Sequence, residues 1–243
     1  MAREVRRLIA ARDELRPLYL NTQGVRVGKS GEVLQVREKD ELKQEVRIGE
    51  ICQVSLMGNV QLSTQAIQTL CEAGVPVCYF SQGGWFYGIT MGLNTKNVFL
   101  RKSQFRLTDE DWFAVALARK LVAGKVRNQR TMLQRNHVEP LPESLAALKQ
   151  MADRAERARS LDELLGIEGN AARIYFGDFA GMIKADEDGG ERPQFTFDFA
   201  GRNRRPPQDA VNALLSLAYS LLVKDFTIAC YAVGFDPFIG FYH

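Results

Sequence analysis

The 243-residue chain contains few of the residues that build the commonest catalytic and metal sites. It has two histidines and four cysteines, and no two cysteines are spaced as a CxxC pair. This spacing argues against zinc knuckles and against a disulfide framework, and it is typical of reduced core cysteines in a cytosolic protein. There is also no complete P-loop glycine pattern, no GxSxG motif and no HExxH motif. P-loop nucleotide hydrolases, α/β-type serine hydrolases and zincins are therefore not indicated.

Strong charge and long apolar runs are missing as well. The formal net charge is +3, which permits nucleic-acid binding without requiring it. No uninterrupted apolar run approaches the roughly 20 residues of a membrane span. The basic start at residues 1–7 is not followed by the apolar segment of a secretory signal. These features predict a cytoplasmic protein without a membrane partner.

The hydrophobic period changes partway along the chain. Up to residue 92, short β-type runs alternate with glycine turns such as residues 28–31, and one helix follows Ser63. Beyond it the pattern is helical. The sequence therefore predicts an α+β multidomain protein with three parts: an N-terminal small β-sandwich or rolled sheet with one helix (1–92), a linker (93–97), and a C-terminal all-α domain (98–243).

Two long helices and three shorter ones are predicted in the second domain. Of the shorter ones, one covers residues 143–157, one follows a capping box at residues 160–163, and one begins near Glu168. The first long helix begins near Thr108 and ends near His137. The second covers residues 208–233 and carries few polar residues, which predicts the central helix of that domain. The helix that begins near Glu168 would place this carboxylate in its first turn.

Glu168 and His243 form a candidate metal site. A histidine and a glutamate brought together can bind a divalent cation. His243 follows an aromatic segment, residues 234–242, whose composition predicts burial and therefore a fixed ring. Each residue also has a structural explanation. Glu168 can interact with the dipole of its own helix, and His243 can be an ordinary core histidine.

Several arginines are candidate DNA-phosphate ligands, because guanidinium groups bind phosphate oxygens in a bidentate manner. Three of them fall within four positions after an alternating aromatic run, and the others lie on predicted helices. A solvated charged face is the alternative interpretation. The candidates are Arg202, Arg204, Arg205, Arg173, Arg127 and Arg130.

Blocks of this sequence resemble signature segments of the CRISPR-associated spacer-acquisition integrase family. They are IEGNAARIYF at 167–176, RNRRPPQDAVNALL at 202–215 and GFDPFIGFYH at 234–243, with shorter matches at 58–63 and 125–130. The resemblance covers residues from about 17 to 243, with the blocks in the family's order. It implies a two-domain enzyme whose β-domain dimerises and whose helical domain carries the catalytic and metal-binding residues, here Glu168 and His243.

The resemblance also implies a reaction and partners. The reaction is phosphodiester transesterification, dependent on Mg²⁺ or Mn²⁺, that inserts captured DNA fragments as new spacers into a CRISPR array. The partners are double-stranded DNA (prespacer and repeat), a second copy of the chain, and a small ferredoxin-like CRISPR protein. Residues 10–17 also resemble the junction seen when the integrase is fused behind a RecB-like nuclease.

The chain departs from the family pattern at its end. Family members continue past the histidine to an acidic residue, so the expected metal site lacks its third ligand within these 243 residues. Two other functions stay open at this point: a non-catalytic dimeric DNA-binding scaffold, and a metal-dependent nuclease without an integration role.

Overall fold

The structure, a computed structural model, describes residues 15–93, 97–183, 197–203 and 206–242. Two compact units can be distinguished, and helix α6 (Ala210–Val233) contributes to both. The first unit holds the β-strands together with Tyr219–Ala232 of α6. The second unit holds the helices from Asn97 to Ala218 and the segment that begins at Val233.

Among the described residues of the first unit, eight strands form two four-stranded sheets. The strands are β1 (Arg16–Leu20), β2 (Arg26–Ser30), β3 (Val33–Glu38), β4 (Glu41–Arg47), β5 (Ile51–Met57), β6 (Gln61–Leu62), β7 (Val77–Phe80) and β8 (Phe86–Thr90). One sheet has the order β1-β5-β7-β8, with only β7 and β8 antiparallel. The other has the order β4-β3-β2-β6.

The two sheets enclose a common apolar core. Val27, Leu34, Val54 and Val77 are completely or almost completely buried, and they belong to one continuous cluster. Helix α1 (Thr64–Glu72) adds Ala66 and Leu70 to this cluster. The predicted β-sandwich with one helix is confirmed.

In the part of the chain after the β-strands that the structure describes, there are five α-helices. They are α2 (Val98–Thr108), α3 (Asp111–Asn136), α4 (Pro142–Ala155), α5 (Leu161–Gly177) and α6. Helices α3, α4 and α5 pack around a core that is rich in small residues, among them Ala118, Ala152 and Ala171. Small side chains let helix axes approach closely, so the faces of these helices lie near one another. The predicted helical region is confirmed.

Helix α5 is one continuous helix where the sequence predicts two, a short one after the capping box at residues 160–163 and another that begins near Glu168. The Ser160 hydroxyl accepts a hydrogen bond from the Glu163 backbone at 3.2 Å, and the Glu163 carboxylate accepts one from the Arg159 backbone. This capping arrangement starts the helix at Leu161. The prediction of a helix that begins near Glu168 is therefore wrong. Glu168 lies inside the helix, where a first-turn dipole role does not apply.

Helix α6 differs from its predicted role as the buried centre of the helical domain. Its described side chains are mostly exposed or half-buried, and only Val211, Asn212 and Lys224 are fully buried. By length and composition alone it is long and apolar enough to cross a membrane, a test that helices of soluble proteins also pass. Composition identified an apolar helix but could not say what packs on it.

The Gln104 side chain on α2 makes three hydrogen bonds to the backbone of the segment that follows α6. Its amide nitrogen donates to the carbonyls of Asp236 and Ile239 at 2.9 and 3.0 Å, and its amide oxygen accepts from the Asp236 backbone at 2.9 Å. Gly234 makes the preceding turn with a φ of 91°, a left-handed conformation that favours glycine. Together these contacts hold residues 234–242 against α2.

A buried polar network lies at the start of α6. The Asn212 backbone and side-chain amide donate to the two oxygens of Asp209 at 2.7 and 2.6 Å, and the amide also donates to the Gly201 carbonyl. The Asn212 side-chain oxygen accepts from Arg202 at 2.7 Å and from the Asn203 backbone at 3.0 Å. This network fixes the Gly201–Asn203 turn and the guanidinium group of Arg202.

Replacing Gln104 with alanine is expected to destabilise the helical unit. The change leaves two carbonyls and one backbone N–H of the 234–242 segment without their amide partner, which costs about 2–3 kcal/mol. Urea unfolding measures the change in the free energy of unfolding. Lys102→Ala, an exposed change on the same helix, is the control and should stay within about 0.5 kcal/mol of wild type. Equal stabilities for the two variants would show that the Gln104 bonds do not hold the segment.

Asp209 should make stability depend on acid pH. Its hydrogen bonds, first those from Asn212, hold the pKa of the carboxyl below its ordinary value of 3.8. The stabilisation is therefore present above that ordinary value and is lost as the pH falls through the lower folded-state pKa. When the pH is lowered from about 6 to about 3, we expect the melting temperature of Asp209→Asn to fall less than that of wild type. Asp109→Asn, at an exposed site, should follow the wild-type curve, and an Asp209→Asn curve that also does so would contradict the network.

Candidate active site

Glu168 is held by donors from two other parts of the helical unit. It lies in the middle of α5, and its side chain is only 17% exposed. The Lys125 ammonium on α3 donates to one carboxylate oxygen at 2.5 Å. The Tyr242 hydroxyl donates to the other oxygen at 2.8 Å. Both oxygens therefore have a hydrogen-bond donor, which favours the ionised carboxylate.

The surroundings of Tyr242 raise the pKa of its phenol. Burial, and next the hydrogen bond to Glu168 and its negative charge, raise the pKa of the Tyr242 phenol well above its ordinary value. The phenol therefore keeps its proton and acts as a donor at neutral pH. Tyr242 packs against the core of α3, α4 and α5, and the neighbouring Phe241 ring lies 5.3 Å from that of Phe113. Aromatic packing thus places this part of the chain.

The predicted partner of Glu168 is one residue beyond Tyr242. His243 lies outside the described residues, as do Arg204 and Arg205. Within the part of the chain that the structure describes, no cluster of three or more His, Cys, Asp or Glu side chains is present. The pairing of Glu168 with His243 stays a prediction, supported by the position of Tyr242.

A cleft of about 570 Å³ is lined in part by Gly169, the residue that follows Glu168 in the sequence. Arg173 and Arg202, two of the predicted DNA ligands, both line it, and so do Phe176, Phe199 and Gly169. Arg173 donates to Asn170 at 3.0 Å, and the aromatic wall is closed by ring contacts between Phe176 and Phe199. A Cβ added at Gly169 would meet nothing within 4 Å, so the glycine leaves the cleft open and is not required by a close backbone approach. The cleft combines cationic and aromatic groups, which suits a nucleic acid.

Arg127 and Arg130 line a separate groove of about 430 Å³ between α3 and α4. Arg127 pairs with Glu156 at 2.5 Å, and Arg130 donates to the Leu145 carbonyl at 3.1 Å. Lys149 completes the groove's positive side. These two arginines therefore already make contacts that tie α3 to α4, and the structure does not bring them into the cleft of Arg173 and Arg202.

Lys125 and Tyr242 were not identified as site residues from the sequence. Lys125 is 43 positions from Glu168 and Tyr242 is 74 positions away, so no local spacing connects them. In the sequence, Tyr242 stands out only as a member of the apolar segment 234–242. Its hydroxyl was a signal, since a buried tyrosine normally finds a polar partner.

Comparison with known proteins places the chain in a family. Residues 18–243 match the family model described as CRISPR associated protein Cas1. A Cas4/Cas1 exonuclease–endonuclease fusion from Geobacter sulfurreducens is 40% identical over 246 residues. That alignment covers 99% of this chain and 43% of the relative, so the chain spans less than half of its length.

Solved structures agree with this result. The chain of a Cas6-RT-Cas1–Cas2 complex matches at 26% identity with a TM-score of 0.76, over 95% of this chain and 25% of that one. A Cas1 protein from Thermotoga maritima matches at 23% identity with a TM-score of 0.77, over 94% of this chain and 69% of that one, which shows the shared fold. With nearly its whole length matched in sequence and in fold, the chain belongs to the Cas1 family of CRISPR-associated proteins.

Proposed function

We propose that the chain supplies the β-domain and the Glu168 site of a metal-dependent DNA endonuclease and integrase that inserts captured DNA into a CRISPR array. In this reaction the 3′-hydroxyl of the captured fragment attacks a phosphodiester of the repeat. A new bond forms between that oxygen and phosphorus, and the bond from phosphorus to the displaced 3′-oxygen of the repeat strand breaks. The attacking hydroxyl loses its proton to solvent or base, and the displaced oxygen gains one.

One observation carries this proposal most strongly: the Tyr242 hydroxyl lies 2.8 Å from a Glu168 oxygen. The family resemblance implies two metal ligands, Glu168 and His243, which are 75 positions apart in the chain. The contact brings the residue next to His243 onto the Glu168 carboxylate. Gln104 and the Phe241–Phe113 contact keep the segment in place.

The donor set at Glu168 is compatible with a divalent cation. A carboxylate that already attracts an ammonium group has the charge that Mg²⁺ or Mn²⁺ requires, and an imidazole neighbour suits Mn²⁺ in particular. Glu168 and His243 would hold the ion, with an acidic residue as the third ligand. When bound, the ion would stabilise negative charge on the phosphoryl oxygens and on the attacking and displaced oxygens.

Side chains of the neighbouring cleft would bind the DNA. Arg173 and Arg202 can each neutralise a phosphate, and the Asn212 network keeps the Arg202 side chain oriented before DNA arrives. The Phe176 and Phe199 rings give the cleft an apolar wall beside these two arginines. Arg204 and Arg205 would extend the cationic surface, and Arg127 and Arg130 would contact DNA further from the site.

The proposed partners follow from the family and its relatives. They are double-stranded DNA (prespacer and repeat), a second copy of the chain paired through the β-domain, and a small ferredoxin-like CRISPR protein corresponding to the Cas2 of the matched complex. A RecB-like nuclease in the same polypeptide corresponds to the fused relative. We assign the reaction to the cytoplasm, where the array is located.

Glu168→Gln is expected to reduce joining by about 100-fold or more, because the amide cannot replace the negative charge that holds the cation. The measurement follows a labelled 3′ end into a repeat-bearing plasmid, with Mn²⁺ or Mg²⁺ and the intact gene product. Joining separates integration from hydrolysis, and failure of wild type both to join and to cleave would favour the DNA-binding scaffold.

The matched control for Glu168→Gln is Asp162→Asn, an exposed carboxylate on the same helix. It should leave joining unchanged. A Glu168→Gln protein that keeps its melting temperature and also its wild-type joining rate would remove Glu168 from the metal site.

Arg173→Ala is expected to weaken DNA binding by about 3–10-fold and to lower the slope of log K against log salt by about one unit, because one phosphate contact is lost. Arg106→Ala, at an exposed position on α2, is the control for the loss of one positive charge. Binding to a labelled duplex at several salt concentrations measures both quantities. Identical salt slopes for the two variants would mean that the cleft does not contact phosphates.

A further inference from the structure

Lys125 forms an unusual ion pair for a site that is expected to bind metal. Its ammonium lies 2.5 Å from one Glu168 oxygen, and the carboxylate is 17% exposed while the lysine side chain is 46% exposed. The anion is therefore the more buried partner, and the cation reaches it from the solvent side. A mostly buried carboxylate without a compensating cation would be costly.

The ammonium and a divalent cation would use the same carboxylate. Bound close to Glu168, a divalent ion would repel the positive charge of Lys125 at short range. Tyr242 holds the other oxygen with an uncharged hydroxyl, which exerts no such repulsion. Of the two described donors, Lys125 is thus the one that a cation would force away.

A displaced Lys125 side chain can move into solvent. It is on a four-carbon flexible stem and is nearly half exposed, so leaving the carboxylate returns a strongly hydrated ammonium to water. Glu168 is fixed by its place inside α5, and Tyr242 by its packing against the helical core. Exchange therefore needs the movement of one side chain and no change in the backbone.

We propose that Lys125 is a resident cation that occupies the Glu168 carboxylate until a divalent metal ion displaces it. The proposal rests on the proposed function and adds a mode of regulation to the same site. In the metal-free protein Lys125 neutralises the carboxylate and keeps it in position. The metal must compete with this internal cation, so the lysine lowers the affinity of the site and limits occupancy at low metal concentration.

The test is a calorimetric titration of the intact gene product with Mn²⁺ in the absence of DNA. Lys125→Met retains the length and apolar stem of the side chain and removes its charge. We expect it to bind Mn²⁺ about fivefold more tightly than wild type, or more, because the competitor is gone. Lys125→Arg keeps the positive charge and should bind Mn²⁺ within about twofold of wild type. Lys102→Met, on the exposed face of α2, controls for the loss of one positive charge and should also match wild type.

The outcomes separate this proposal from the function on which it rests. Mn²⁺ binding that is equal or weaker in Lys125→Met, while Glu168→Gln abolishes it, would overturn the exchange and leave the metal site standing. It would mean that the lysine orients the carboxylate and does not compete. Binding that Glu168→Gln does not affect would overturn both. A melting curve of each variant checks folding, since loss of the ion pair alone should leave the hydrogen bond from Tyr242 in place.

Discussion

The site depends on a carboxylate that is placed inside a helix and mostly removed from water. Such a group is stable only if other parts of the fold bring donors to it. Here α3 brings the Lys125 ammonium and the segment after α6 brings the Tyr242 hydroxyl. The packing of α3 against α5 and the fastening of residues 234–242 by Gln104 therefore serve the same end, which is to keep Glu168 charged and in one position.

Side-chain amides do much of the positioning around this site. Gln104 bonds three backbone groups of the segment after α6, and Asn212 joins Asp209, Gly201 and the Arg202 side chain. Both amides are buried and both reach irregular backbone, whose polar groups cannot pair within a helix or sheet. Amide hydrogen bonds therefore position the loop segments next to the cleft and the carboxylate. Packing of small residues positions the helices.

Much of the architecture was predictable because the hydrophobic period is a local property. Alternation in the strands, the cap at Ser63 and the apolar stripes of the helices indicated a β-sandwich followed by helices. Errors occurred where local signals competed. The sequence predicts separate helices after residue 160 and from near Glu168, yet the capping contacts at Ser160 start one continuous helix. The apolar α6 suggested a buried centre, although half of it groups with the β-strands.

The sequence by itself determined which chemical groups are present and in what local structure. It determined the Glu168 carboxylate, the arginines, the aromatic segment before His243 and the family to which these blocks belong. Only the tertiary structure decided that Lys125 and Tyr242 bind the two oxygens of Glu168, that Arg173 and Arg202 share a cleft, and that Arg127 and Arg130 line another groove. The reason is physical: helical periodicity links residues a few positions apart, whereas contacts across 43 and 74 positions depend on how the helices pack.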